Sequence, residues 1–536
     1  MAPEAHPAPR PSALSLGGMV SSSHPAASFA GARVLAQGGN AIDATLAMAA
    51  LTWLVLPGQC GIGGDAFAVV REPDGRVWTI GGSGFGPDGG TTQFYRDQGL
   101  STIPLYGALG VTVPGAPAAL AALHAHGASR GLPELWEPAA RIAETGLACS
   151  AKTAADVREA LTAIRQDPGL AAVYAPDGQT ARVADRIAQP DLARTIRRLA
   201  HDPADFYTGE IAERAVTMLS AAGAPFSGDE WVAGATATPE AAITGGYAGA
   251  TIHQTPLPTP GWMVLQQAAL CDGVVGAEPW LGAGAIDRMA RAARLAFQDR
   301  LERCGSDNTG WRDVLDPNRI AQQRRDLASM AEDRLVFSVR TGDTTCTAAV
   351  DADGRAVSFI HSLGFTFGAT LTVPGTGVVL GNRLGRGAYL IPGHPNEVAP
   401  RRKPLNTLNA WIATGARGEL LALGSIPGGD GQVQWNMQLL SHLFDHGLEP
   451  AAAVAAPRFT VFPGSDAEVI DRPAELRVED RIGEQIRERL CASGHRIVVQ
   501  TAYGAGGSAQ VICRDERGVL RGAADPRQEG VAIGVD

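Results

Sequence analysis

From Ala44 to Pro57 the chain reads ATLAMAALTWLVLP, apolar at nearly every position. A run with no polar face predicts a helix buried on all sides. Asn40 ahead of it can cap the first turn, and Asp43 can return the favour as in a capping box. Pro57-Gly58 ends it. The period then changes. GIGGDAFAVVREPDGRVWTI is a glycine turn, an apolar strand, a Pro-Asp-Gly turn and a second strand, which predicts a β-hairpin. TTCTAAVD-ADG-RAVSFIHS predicts another, with Asp353-Gly354 in the turn. Between the two, residues 116–225 carry helical patterns and 245–257 a strand and loop. Residues 260–303 predict two helices, and 304–343, polar and weakly periodic, an exposed connector. The remainder alternates short strands, glycine turns and helices such as QVQWNMQLLSHLFDHG and DRIGEQIRERLCASG. There is no internal repeat. Hairpins with helices grouped between them predict a layered α+β fold around antiparallel sheet.

Composition fits a soluble protein with a large core: 536 residues, 45% hydrophobic and 19% charged. The formal net charge of −10, without a basic block, argues against nucleic acid or an anionic membrane as partner. Seven cysteines, an odd count without a C-x-x-C pair, read as reduced thiols of a cytoplasmic protein. Residues 1–16 read as a disordered Pro/Ala leader, not a secretory signal. The longest apolar run is too short to span a bilayer.

Several motifs invite chemistry. Gly61 to Ala66 fits G-x-G-x-x-A, the pattern of a nucleotide-dependent oxidoreductase. That fingerprint must follow a strand and open a helix, and here the order is reversed, so tight helix-to-strand packing is the better account. Gly424 to Gly431, GSIPGGDG, is either a flexible turn or a nest of N–H groups at a helix N-terminus suited to an oxyanion. Asn382 to Arg386, NRLGR, is either solvated surface or a guanidinium fork for a carboxylate. Arg401-Arg402-Lys403 reads as a solvated loop. RTGDTTCTAAVD places Thr344 and Thr345 at the start of a strand. β-propensity accounts for that. The functional alternative is cleavage after Asp343. Thr344 would then become an N-terminal nucleophile whose own α-amine, with a pKa of about 7.7–8.0, is the base.

Seven blocks in order decide between these readings. QGGNAIDATLAMAAL…GIGGDAF, VTVPGAPAAL, GDTTCTAAVDADGRAVSFIHS, APRRKPLNTLNA, GSIPGGDGQ, APRF and GAADPR resemble the γ-glutamyltranspeptidase family of N-terminal-nucleophile hydrolases, from about Gly17 to Asp536. The resemblance implies a four-layer αββα sandwich and self-cleavage between Asp343 and Thr344. The large chain would be 17–343 behind the leader and the small chain 344–536, the two staying associated as one unit. Thr344 matches the nucleophile. Ser362 matches a hydroxyl that hydrogen-bonds it, and Gly428 and Gly429 match the oxyanion pair. No cofactor or metal is implied.

The departures are as informative. Ser83 stands where γ-glutamyl enzymes hold the substrate carboxylate with arginine. Arg386 stands where they hold the α-amine with an acid, and Arg383 replaces a glutamine. Gly364 replaces an asparagine, while Asn406 and Thr407 replace adjacent serines. An arginine repels an ammonium group. The expected substrate is therefore a small amide bearing a carboxylate or keto acid near Arg383 and Arg386, with Asn406 and Thr407 alongside. The pattern is similar to the oxamate amidohydrolase branch. A true γ-glutamyltransferase or glutathione hydrolase with an altered pocket, a C–C-cleaving relative of secondary metabolism, and an unprocessed binding protein are the alternatives. Oligomerisation of the heterodimer stays open.

Overall fold

Two seven-stranded antiparallel sheets lie face to face between two groups of helices. The computed structural model describes residues 10–307, 310–327, 344–465 and 473–536; Asp343 lies outside them. The first sheet runs, edge to edge, Ala13–Ser15, Leu520–Ala524, Gln510–Arg514, Leu420–Ser425, Ala410–Thr414, Ala250–Gln254 and Ile243–Tyr247. The second runs Val531–Val535, Gly18–Ser22, Thr345–Val350, Ala356–Ser362, Asp65–Arg71, Val77–Gly82 and Pro239–Ala241.

Alternation along the strands divides the interior into three cores. Phe67, Val69, Cys346, Ala348 and Ile360 of the second sheet meet Ala410, Ile412, Leu423 and Ile512 of the first. Ala66, Ala68, Val70, Ala349, Val357 and Phe359 point the other way, into helices 25–36, 41–55 and 116–127. Ile252, Trp411, Ala413, Ala422 and Val511 pack outward on helices 261–271, 283–302 and 431–444. This is the four-layer αββα sandwich.

Helix Ala41–Val55 is buried along its whole length. Asn40 Oδ1 accepts from the Ile42 and Asp43 N–H groups at 2.9 and 3.0 Å, and Asp43 Oδ2 accepts from the Asn40 N–H at 2.9 Å. The capping box takes up donors that water cannot reach. The glycines after the helix serve close packing: a Cβ on Gly63 would lie 2.2 Å from the Val379 carbonyl oxygen, and one on Gly64 2.1 Å from that of Ser362.

Two expectations need correction. The leader does not extend to residue 16, because Ala13–Ser15 pairs with Leu520–Ala524 and Ser15 Oγ bonds the Asp536 carboxylate. The connector after 303 is not featureless: Gly310–Val314 and Pro317–Asp326 are helical, the second capped by Asp316. The seven cysteines are unpaired. Among the described residues no helix is long and apolar enough to cross a membrane.

The segments on either side of 343–344 are interleaved. Thr345–Val350 pairs with Gly18–Ser22, and Ala356–Ser362 pairs with Asp65–Arg71. The strands that open the C-terminal part are thus clamped between strands of the N-terminal part.

Candidate active site

Register places four polar side chains in a row at one end of the second sheet. Thr345 faces His361, Ser362 faces Asp65, and Ala66 faces Gly82. One step beyond the first and last of these pairs, Thr344 faces Ser362 and Asp65 faces Ser83. The row Thr344–Ser362–Asp65–Ser83 shares the sheet face of Phe67, Ile360 and Cys346, toward the other sheet. Directly opposed residues on one face come within about 4.5–5.5 Å at Cβ. Thr344 Oγ lies 3.1 Å from Ser362 Oγ, which also accepts the Gly364 N–H at 2.8 Å. Thr345 points to the opposite face, where its hydroxyl has no hydrogen-bond partner among the described residues.

Asp65 is the hub of the row. Its Oδ1 accepts the Gly84 N–H at 3.0 Å. Its Oδ2 accepts from Arg383 Nε at 2.8 Å and from Asn406 Nδ2 at 2.9 Å. Asn406 Nδ2 also reaches Ser83 Oγ at 3.3 Å, and Arg383 Nη1 reaches Thr407 Oγ at 3.3 Å. Arg383, at the start of the short helix Arg383–Gly387, and the loop residues Asn406 and Thr407 are thereby tied to the strand row. Arg383 is 2% exposed, so its charge depends on Asp65. Burial pulls its guanidinium below the usual value; Asp65 opposes this, and nearby Arg386 and Arg300 add to the depression. Arg383 Nη2 has no hydrogen-bond partner among the described residues. Nε and Nη1 of Arg383 are committed to Asp65 and Thr407, and Nη2 remains as a donor.

Arg386 lies over the Phe365 ring, 4.4 Å from its centroid, and donates to the Gly364 carbonyl at 3.2 Å. Gly364 has φ +106°, and a Cβ there would lie 2.1 Å from Asn382 Oδ1. A larger residue at 364 is excluded by its neighbours as well as by its backbone.

The third component is the turn after strand Leu420–Ser425. Gly428 has φ +133° and Gly429 φ +59°, and the helix Gly431–Phe444 starts two residues later. The N–H groups of Gly428 and Gly429 donate to no described residue. Adjacent free N–H groups at a helix start form an anion-binding concavity. The turn belongs to the same end of the sandwich as Thr344: Cys346 Sγ lies 3.3 Å from the Ser425 carbonyl, and Ser358 Oγ donates to that of Gly424 at 2.9 Å.

The structure thus sets the Thr344–Ser362 pair beside the Asp65 cluster that holds Arg383, Asn406 and Thr407, through the Ser362–Asp65 register, with Arg386 on the Gly364 carbonyl and the Gly428-Gly429 turn at the same end of the sandwich. Sequence reasoning missed Asp65 as the hub. Its only signal was an acid opening an apolar strand, and its partners lie 318 and 341 residues away. It also missed Arg300, which donates to the Asn406 carbonyl at 3.2 Å and faces Asp430 at 3.8 Å.

Comparison with known proteins agrees with this architecture. Residues 27–535 match the sequence model of the family described as Gamma-glutamyltranspeptidase. The chain is 31% identical to the "Glutathione hydrolase-like YwrD proenzyme" of Bacillus subtilis over 96% of its length and 98% of the relative's. It is 30% identical to the "Oxamate amidohydrolase proenzyme" of Klebsiella pneumoniae, covering 97% and 99%. The crystal structure of cephalosporin acylase from Bacillus halodurans superposes with a TM-score of 0.88 at 29% identity, over 100% of this chain and 99% of that one. The chain belongs to the gamma-glutamyltranspeptidase family and is an enzyme of the N-terminal-nucleophile hydrolase type.

Proposed function

We propose that this protein is a self-processing amidohydrolase whose nucleophile is Thr344. The observation that carries the reading is the pairing of Thr344 Oγ with Ser362 Oγ at 3.1 Å, at the head of the strand that follows Asp343. In the precursor the Thr344 hydroxyl attacks the Asp343 carbonyl, the C–N bond breaks, and water hydrolyses the resulting ester. The new α-amine at Thr344 then acts as base. Its hydroxyl attacks the acyl carbon of a substrate amide, and the proton passes through the amine to the leaving nitrogen. Gly428 and Gly429 donate to the oxyanion. Water attacks the acyl-enzyme and restores Thr344. The processed chains, 1–343 and 344–536, stay together through the shared ladder of the second sheet.

The substrate is a small amide whose acyl side carries a carboxylate or keto acid. Arg386 and the remaining donor of Arg383 favour an anion, with Thr407 beside them. The relatives' names support amide hydrolysis: one is called an oxamate amidohydrolase proenzyme, another a glutathione hydrolase-like proenzyme. Against a free γ-glutamyl amine stands Arg386, a cation that has no attraction for an ammonium group.

The test is a screen of carboxylate-bearing amides, neutral amides and γ-glutamyl-p-nitroanilide on processed enzyme. Preference for the carboxylate-bearing amides is expected. Efficient turnover of γ-glutamyl-p-nitroanilide would replace this reading with a γ-glutamyltransferase. The general base must be unprotonated, so kcat/KM should rise with pH and level off near the amine pKa of about 7.7–8.0.

A further inference from the structure

One side of the turn that carries Gly428 and Gly429 is held by a single side chain. Trp435 stands four residues after Gly431, so its indole lies back over the first turn of helix Gly431–Phe444. A Cβ on Gly428 would lie 2.2 Å from Trp435 Cζ3, and one on Gly431 2.5 Å from Cη2 and Cζ2. A Cβ on Gly507, from a separate loop, would lie 3.0 Å from Cζ3. Three glycines therefore admit the ring edge against bare backbone. The ring cannot rotate away. Its Nε1 donates to Thr460 Oγ at 2.9 Å, and Arg458 lies over the ring at 5.3 Å from its centroid. Arg458 is itself fixed by Asp525 and by the Gly506 carbonyl.

The opposite side of the turn is braced too. Asp430 Oδ2 accepts the Ser465 N–H and hydroxyl at 2.6 and 2.8 Å. Gly428, at φ +133°, is in a backbone region that favours glycine and Gly429, at φ +59°, is left-handed; two adjacent glycines leave the turn's own backbone permissive, so its direction depends on what packs against it. An oxyanion donor acts only if its N–H is aimed before the charge develops.

We infer that Trp435 is a positioning residue for the oxyanion turn: its indole, anchored by Thr460 and Arg458, keeps the Gly428 and Gly429 N–H groups directed at the oxygen on which the negative charge develops. The inference rests on the proposed role of those two glycines. Trp435 is buried beneath the turn, 2% exposed, so its loss is expected to act on the transition state and leave binding alone.

The experiment measures kcat and KM on processed enzyme for the best amide of the screen. Loss of one oxyanion donor typically costs about 10²–10³ in kcat, so a loosened turn is expected to cost about 10–100-fold. Trp435→Leu should show that drop in kcat with KM unchanged, and Trp435→Phe, which keeps a ring on the glycines, should recover most of it. Gly431→Ala pushes the ring aside and should lower kcat in the wild-type background but add nothing in Trp435→Leu, the non-additivity of two changes at one contact. Should Trp435→Leu fail to fold, Thr460→Val removes only the indole's acceptor and should lower kcat several-fold at constant KM.

Wild-type kcat in Trp435→Phe, Thr460→Val and whichever of the other variants fold would overturn the inference, as would losses confined to KM. Gly428→Ala separates the two ideas. If Gly428→Ala is inactive while the Trp435 and Thr460 variants are normal, only the inference about Trp435 falls. If Gly428→Ala keeps full kcat, the oxyanion role itself falls.

Discussion

The strand row and the loop pocket are built by different rules. In the row Thr344–Ser362–Asp65–Ser83, neighbouring strands and a two-residue side-chain period decide which groups meet. Shifting by one residue sends a side chain to the other face, so Thr344 and Thr345, chemically identical, have unrelated surroundings. In the pocket, Arg383 opens the short helix Arg383–Gly387 and Asn406 and Thr407 come from an irregular segment; they meet the row chiefly through Asp65, with one further contact from Asn406 to Ser83. Regular structure sets direction, and a buried ion pair ties the irregular part to it. A change in the row should therefore act on chemistry, and a change at the tie on stability and selectivity.

The largest effect is expected at Thr344. Thr344→Ala should leave the precursor uncut and inactive, visible as one band on a denaturing gel. Next comes the tie. Asp65→Asn leaves the buried Arg383 without its counter-charge and should cost about 3–5 kcal/mol in urea unfolding. An unchanged midpoint would mean that Arg383 is not held by this pair. Arg386→Ala removes a charge-assisted contact worth about 1.5–3 kcal/mol, so the preference for carboxylate-bearing over neutral amides should fall about tenfold or more, with processing intact. If selectivity is unaltered, Arg386 does not read the substrate anion.

Acid should weaken the fold in a defined window. Burial pushes His361 and His442 down from 6.5 to about 3. Both are neutral in the native protein, while the unfolded chain takes up protons below about 6.5. The stability these two histidines contribute should thus be fully present above pH 6.5 and decline down to about pH 3, and together they account for up to two of the protons taken up on unfolding. Calorimetry across that range checks the slope. The smallest effect is expected at Thr345. Its hydroxyl has no partner among the described residues, so Thr345→Val should leave processing, turnover and melting temperature near wild type.

Much of the frame was legible in the sequence, for local reasons. The Asn40–Asp43 capping box, the buried helix after it and the two hairpins are signalled by residues three to twenty positions apart. The turn at Asp353-Gly354 already sets Thr344 opposite Ser362. The glycines of GIGGDAF were legible as packing residues because helix and strand stood in the wrong order for a nucleotide fingerprint. The Asp65–Arg383 pair was not legible: each residue stood in a motif of its own, but 318 residues separate them and nothing local shows that they meet. Trp435 stands in the predicted helix QVQWNMQLLSHLFDHG with no local signal of its own. Only the distances to Gly428 and Gly431 give it a role. The strand Ala13–Ser15 was lost in a proline- and alanine-rich segment whose composition outweighed three residues of pairing.

The central claim is that Thr344 becomes a chain terminus. Intact-mass and N-terminal analysis of the purified wild-type protein tests it most directly. The account predicts two chains, the smaller of 193 residues beginning at Thr344. A single chain of 55.5 kDa that nevertheless hydrolyses amides, or a small chain beginning at any other residue, would contradict it.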